Sequence, residues 1–169
     1  MYSNTVRIIL FAIGALAAIF FASVGLWLQM AAALAFVLLM VLGYFLNGAV
    51  FLALRKLVKN DFEGAERLLR MTRYPQYLGR TQKAYYYFLN GCIEANKEHL
   101  EPAIAHLEKS LQLGLRTDND KSIALLNLCS IYLSLGRKDK AAQYLELAKK
   151  LRYSPALQPE IDHLTEALQ

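Results

Sequence analysis

The apolar and polar positions divide this chain into two unlike parts. From Ile8 to Leu54 there is no Asp, Glu, Lys, Arg or His. Within that stretch Ile8–Leu28, about 21 residues, would make roughly 31 Å of helix, close to the ~30 Å of a bilayer's hydrocarbon core. Ala31–Leu54 is a second and slightly longer run, which leaves room for tilt. Only Trp27-Leu28-Gln29-Met30 separates the two, and an indole and an amide suit an interfacial turn. The pattern predicts an N-terminal transmembrane helical hairpin, residues 1–54, with spans at about 8–28 and 31–54. Gly14, Ala18 and Ala22 recur every four residues on one face of the first run, where small side chains let helix backbones approach. One alternative is a hairpin buried inside a soluble protein, which would need far more protein around it than this chain supplies; the other is a cleaved signal peptide, with Arg7, an apolar run and a small-residue site near Ala22-Ser23. The second run directly behind it makes that reading less natural.

After Leu54 the pattern changes to the 3.6-residue period of amphipathic helices. Arg55-Lys56 ends the uncharged stretch, Lys59-Asn60-Asp61 reads as a turn, and a new helix is predicted from about Phe62. An internal repeat follows. Ala65, Ala103 and Ala141 are separated by 38 residues each time, and so are Leu69, Leu107 and Leu145. Small residues recur at Thr72, Ser110 and Ala148. Two equal intervals are much harder to obtain by chance than one. Pro155 and Pro159 break the pattern, and 160–168 forms a short amphipathic helix with Ile161, Leu164 and Leu168 on one face. A repeat stack leaves its last apolar face uncovered, so this segment is expected to cap it. The fold class expected is therefore all-α throughout.

These residues are similar to the tetratricopeptide repeat, a helix–turn–helix unit of about 34 residues. The second repeat carries Tyr87, Gly91, Ala103, Leu107 and Ser110 at the family's signature places, and the third carries Leu125, Leu128, Tyr132, Gly136, Ala141, Leu145 and Ala148. The resemblance covers about Gly48–Tyr153. Asn90, Glu94 and Cys129 depart from the family pattern, and each repeat has about four extra residues, near 74–77 and 116–120. The resemblance implies an α-solenoid of about three helix pairs over 48–169, its first leading helix shared with the second expected span. In that family the first helices line a concave face that binds extended peptides or helices. Carried over, the positions are Tyr85, Phe88, Cys92 and Asn96 in the second repeat, and Ile123, Leu126, Ser130 and Ser134 in the third. The set lacks the basic clamp with which some members hold a C-terminal carboxylate. Either a partner's amphipathic helix, or the chain's own C-terminal helix and inter-repeat packing, could cover these positions.

Charge sharpens the picture. Eight basic residues stand against three acids between Arg55 and Lys83, and ten against eleven from Ala84 onward. The loop between the expected spans has no Lys or Arg, so both termini and the repeat domain are expected on the cytoplasmic side, as in a two-pass protein of a bacterial inner membrane. Arg55, Lys56, Lys59, Arg67, Arg70 and Arg73 would then meet lipid headgroups. A basic excess confined to that region suits a bilayer better than nucleic acid, which would call for a basic face on the repeats themselves.

Little points to chemistry. No phosphate-binding glycine loop, GxSxG or HExxH occurs. His99 and His106, seven apart, make a weak metal face, and Cys92 and Cys129 stand alone without CxxC spacing. No cofactor, metal or small-molecule substrate is implied, and the chain is not expected to be an enzyme. The expected function is a membrane-anchored scaffold that holds a protein partner at the bilayer or helps a membrane complex assemble. A small structural subunit, its repeats serving as a docking arm, is the alternative.

Overall fold

The computed structural model describes Leu16 and residues 27–169, with the side chains of 39–48 left aside. Among the described residues the regular structure is helical and there is no strand. From Trp27 onward the helices are α1 (Trp27–Leu57), α2 (Phe62–Arg70), α3 (Arg80–Asn96), α4 (Leu100–Leu113), α5 (Asp118–Ser134), α6 (Lys138–Lys149) and α7 (Gln158–Leu168). Two compact units divide the chain, Met1–Gly48 and Ala49–Gln169. In the first, the described side chains of Leu16, Trp27, Leu28, Leu34, Phe36 and Leu38 are exposed.

Here the sequence expectation needs correcting. Among the described residues no helix is long and apolar enough to cross a membrane, so the two-pass integral placement, with cytoplasmic termini and repeat domain, does not hold. A physical reason is visible within the second unit. The end of the second expected span is used for protein packing: Val50 and Ala53 are fully buried, and Leu54 lies against the same core, as does Leu57 just beyond the span. Apart from Leu16, Trp27 and Leu28, the first expected span lies outside the described residues.

The second unit is organised by the 38-residue interval. Helices α2, α4 and α6 begin at Phe62, Leu100 and Lys138, while α3 and α5 begin at Arg80 and Asp118. Each interval also repeats one turn. The N–H groups of Asp61, His99 and Arg137 donate to the carbonyls of Lys56, Glu94 and Tyr132 at 3.0, 2.9 and 2.9 Å. Those of Asn60, Glu98 and Gly136 donate to Leu57, Ala95 and Leu133 at 2.8, 3.0 and 2.9 Å. This paired pattern satisfies the last carbonyls of a helix and needs a left-handed residue just past its end. Asn60, Glu98 and Gly136 take that conformation, with φ of 57°, 62° and 70°. At the first turn Asp61 also caps α2, accepting from the Gly64 N–H at 2.8 Å while pairing with Lys56 at 2.8 Å.

Glu98 is the residue least suited to this backbone. A left-handed conformation costs an ordinary side chain about 1–2 kcal/mol, and glycine's greater freedom when unfolded returns about 0.5–1 of that. Glu98→Gly is therefore expected to raise stability by about 0.5–1 kcal/mol. The shift should appear as a higher urea midpoint at unchanged slope. A lower midpoint would contradict the assignment of strain to this turn.

Packing follows the same interval. Ala65, Ala103 and Ala141 are fully buried, and Leu69, Leu107 and Leu145 nearly so. Helix α3 packs along α4, and α5 along α6. Neighbouring pairs are joined by specific contacts. The rings of Phe51 and Tyr85 lie 6.0 Å apart, and Lys97 pairs with Glu66 at 2.8 Å. Farther along, the Glu108 carboxylate accepts the Tyr144 hydroxyl at 2.8 Å, and Tyr144 stacks on Tyr132 with centroids 5.4 Å apart. Ala103→Leu and Ala141→Leu should each cost about 1–3 kcal/mol by overpacking. Ala105, on the exposed side of α4, should accept Leu with little change in the urea midpoint. Equal losses at all three would mean that the buried faces are misassigned.

The chain end differs slightly from expectation. Residues Pro155–Leu157 form a single 3-10 turn, and α7 starts at Gln158, two residues before the sequence boundary. Pro159 sits in its first turn, where a missing N–H costs nothing. Ile161 and Leu164 are buried, and α7 packs on α5 and α6.

Candidate functional site

Because α1, α3 and α5 are the leading helices of successive pairs, one face of each is left uncovered by its own partner helix. These faces line a groove of about 810 Å³ within the second unit. The end of α1 supplies Leu54, Leu57 and Val58, and α2 adds Phe62. Helix α3 contributes Phe88, Cys92, Ala95 and Asn96, with Leu100 following on α4. Helix α5 presents Asp120, Ile123, Asn127, Ser130, Ile131 and Ser134. Two of the left-handed turn residues, Asn60 and Glu98, complete the rim.

Of the eight positions carried over from the family resemblance, six meet here: Phe88, Cys92, Asn96, Ile123, Ser130 and Ser134. Tyr85 and Leu126 do not. Leu126 is fully buried beneath the surface, and Tyr85 is nearly so. The Tyr85 hydroxyl instead donates to the Asp120 carboxylate and so orients an acid of the groove. Burial, followed by that hydrogen bond, pushes the Tyr85 phenol up to about 12.

Several lining residues were missed by the sequence reading, and the repeat could have found some of them. Stepping 38 residues back from Cys92 and Asn96 reaches Leu54 and Val58, which lie at equivalent places. Asp120 and Asn127 follow from Ile123 at helical spacing. Glu98 and Asn60 carry no such signal, because they reach the rim through turn geometry.

Burial pushes the Cys92 thiol up to about 12, so it stays a neutral apolar surface near neutral pH. Cys129, fully buried and outside the groove, is likewise raised by burial. His99 pairs with Glu94 at 2.7 Å, and His106 lies against the Tyr87 ring with its pKa lowered by burial. Neither histidine lines the groove.

No protein-family model, curated protein or solved structure matches the chain.

Helix α7, buried through Ile161 and Leu164 on the last pair, contributes no lining residue. The chain's own C-terminal helix therefore does not cover these positions, while packing among the repeats buries Tyr85, Phe88, Cys92 and Leu126. The basic residues Arg55, Lys56, Lys59, Arg67, Arg70 and Arg73 are all exposed and lie outside the lining. Lys56 is engaged by Asp61, and Arg70 by Glu66 at 2.8 Å. The carboxyl of Glu66 is held below its usual range by hydrogen bonds from Lys97 and Arg70.

Proposed function

We propose that this chain is a tetratricopeptide-like scaffold, a short α-solenoid of three helix pairs that holds a protein partner in the groove formed by its leading helices. The observation that carries the reading is the convergence of six family-type positions, from two different repeats, on one groove of about 810 Å³. Repeated helix pairs suit this role because each pair adds one strip to a continuous binding surface. An apolar floor with hydroxyls and amides at its edge fits a helix laid in a groove. The absence of an activated thiol or base among the lining residues favours binding over catalysis.

The test is site-specific photo-crosslinking in cells. A photoreactive phenylalanine at Asn96 or Ser134, both exposed in the groove, should trap a discrete protein partner. The same group at Lys109 or Gln143, exposed but outside the lining, should not. Identical crosslinks from all four positions would reject the groove as the binding face.

A further inference from the structure

We propose, resting on the groove reading above, that the partner segment is a basic amphipathic helix of about four turns, apolar on one side and carrying lysine or arginine on the other. Three observations lead there. The first is length. On α5 the lining positions Asp120, Ile123, Asn127, Ser130 and Ser134 follow one another at intervals of three and four, a single helical stripe. At about 1.5 Å per residue that stripe is about 21 Å long. A second helix of similar length covers it, whereas a compact small molecule reaches only part of it.

The second observation is that the two walls differ. The wall from α1 and α2 is apolar, made by Leu54, Leu57, Val58 and Phe62. The α5 wall is largely polar, with Asp120, Asn127, Ser130 and Ser134. An occupant lying along the groove must match one apolar and one polar wall at once. An amphipathic helix does so by its own periodicity.

Charge is the third. The ionised side chains on the lining are Glu98 and Asp120, and no Lys, Arg or His lines it. Of the nearby cations Lys97 pairs with Glu66 and Lys121 with Asp118, each at 2.8 Å, while Arg116 stands near Tyr85 outside the lining. Asp120 receives the Tyr85 hydroxyl on Oδ2, and a carboxylate has further acceptor sites for an incoming ammonium or guanidinium. The lining thus carries two carboxylates and no cation, which selects against acidic partners and steers basic ones.

A displayed library of helices of about 16 residues tests this, with a fixed leucine stripe and the remaining positions randomised over charged and neutral residues. It is panned on the full chain and counter-selected on Ser130→Trp, which fills the groove; Ser134→Trp serves as the second block. Enriched helices should gather Lys and Arg on one side of the stripe. They should bind the unaltered chain about tenfold more tightly than either Trp variant. Asp120→Asn and Glu98→Gln should each weaken binding about three- to fivefold at low salt, with the difference shrinking as salt rises. Acidic or uncharged winners that still avoid both Trp variants would overturn the basic partner and leave the groove reading standing. Winners indifferent to both Trp variants would overturn both. A dimer in light scattering that Ser130→Trp or Ser134→Trp dissociates would put a second copy in the groove, and would equally overturn the proposal.

Discussion

Phe88→Ala is expected to remove about 3–5 kcal/mol, the largest loss from any single truncation considered for this chain. Phe88 is 2% exposed, lies near the middle of α3, and meets Tyr85 edge-on with ring centroids 6.4 Å apart. It is also on the floor of the groove, so its removal leaves a cavity beneath the binding face. The loss should read as a lower urea midpoint with an unchanged slope. Phe88→Leu, which keeps most of the apolar volume, should recover more than half of it. A loss below about 1 kcal/mol for Phe88→Ala would mean that α3 is not the central packed helix.

The second large effect lies one turn further along the same helix, where α3 touches α4. A Cβ placed on Gly91 would meet the Leu107 side chain at 2.7 and 2.9 Å and its backbone nitrogen at 3.1 Å. The backbone is the part that cannot move aside cheaply. Overpacking here should cost about 1–3 kcal/mol, offset by roughly 1 kcal/mol from better helix propensity, so Gly91→Ala is expected to destabilise modestly. Gly91→Val, with two more carbons and a stiff rotamer, should approach the upper end of that range. Leu107→Ala alone should cost about 2–5 kcal/mol through its cavity. The informative measurement is the double variant. With Leu107 truncated, the new methyl of Gly91→Ala loses its two side-chain clashes and keeps only the backbone one, so the two losses should fall short of adding by about 0.5–3 kcal/mol. Strict additivity would mean that the close approach of α3 to α4 is not what this glycine serves. Ala53 and Cys129 stand 38 residues to either side of Gly91, so the other pairs accommodate a side chain at this place.

Much of the helical arrangement was legible in the residues. The interval from Ala65 to Ala103 to Ala141 marks three buried helix faces, and all three alanines are fully buried. The turn at Lys59-Asn60-Asp61 and the start of a helix at Phe62 were readable because asparagine and aspartate favour turns and caps for local reasons. Glu98 was not readable as a left-handed residue. Its side chain gives no preference for that backbone, and the conformation is imposed by the helices on either side. The groove was legible in part through the family resemblance, which pointed to Phe88, Cys92, Asn96, Ile123, Ser130 and Ser134, residues that share one helical face per repeat. Tyr85 and Leu126 share that periodicity too, but periodicity does not tell a groove floor from the core beneath it.

By itself, then, the sequence determined the helices of the second unit, their interval, the turn at Lys59-Asn60-Asp61 and the buried alanines and leucines that repeat with that interval. Those features depend on neighbours within a few residues and on a period that repeats. Only the tertiary structure decided which partner each buried face meets. It assigned Val50 and Ala53, within a run apolar enough to be read as membrane-spanning, to the protein core. It placed α7 against the last pair and away from the groove, although the apolar stripe of Ile161 and Leu164 would suit either position. It also put Glu98 and Asp120, from different repeats, on the lining of one groove whose lining holds no Lys, Arg or His. The reason is common to all three. Burial of apolar surface is non-directional, so a helical stripe states that it will be covered and leaves the choice of cover to the packing of the whole.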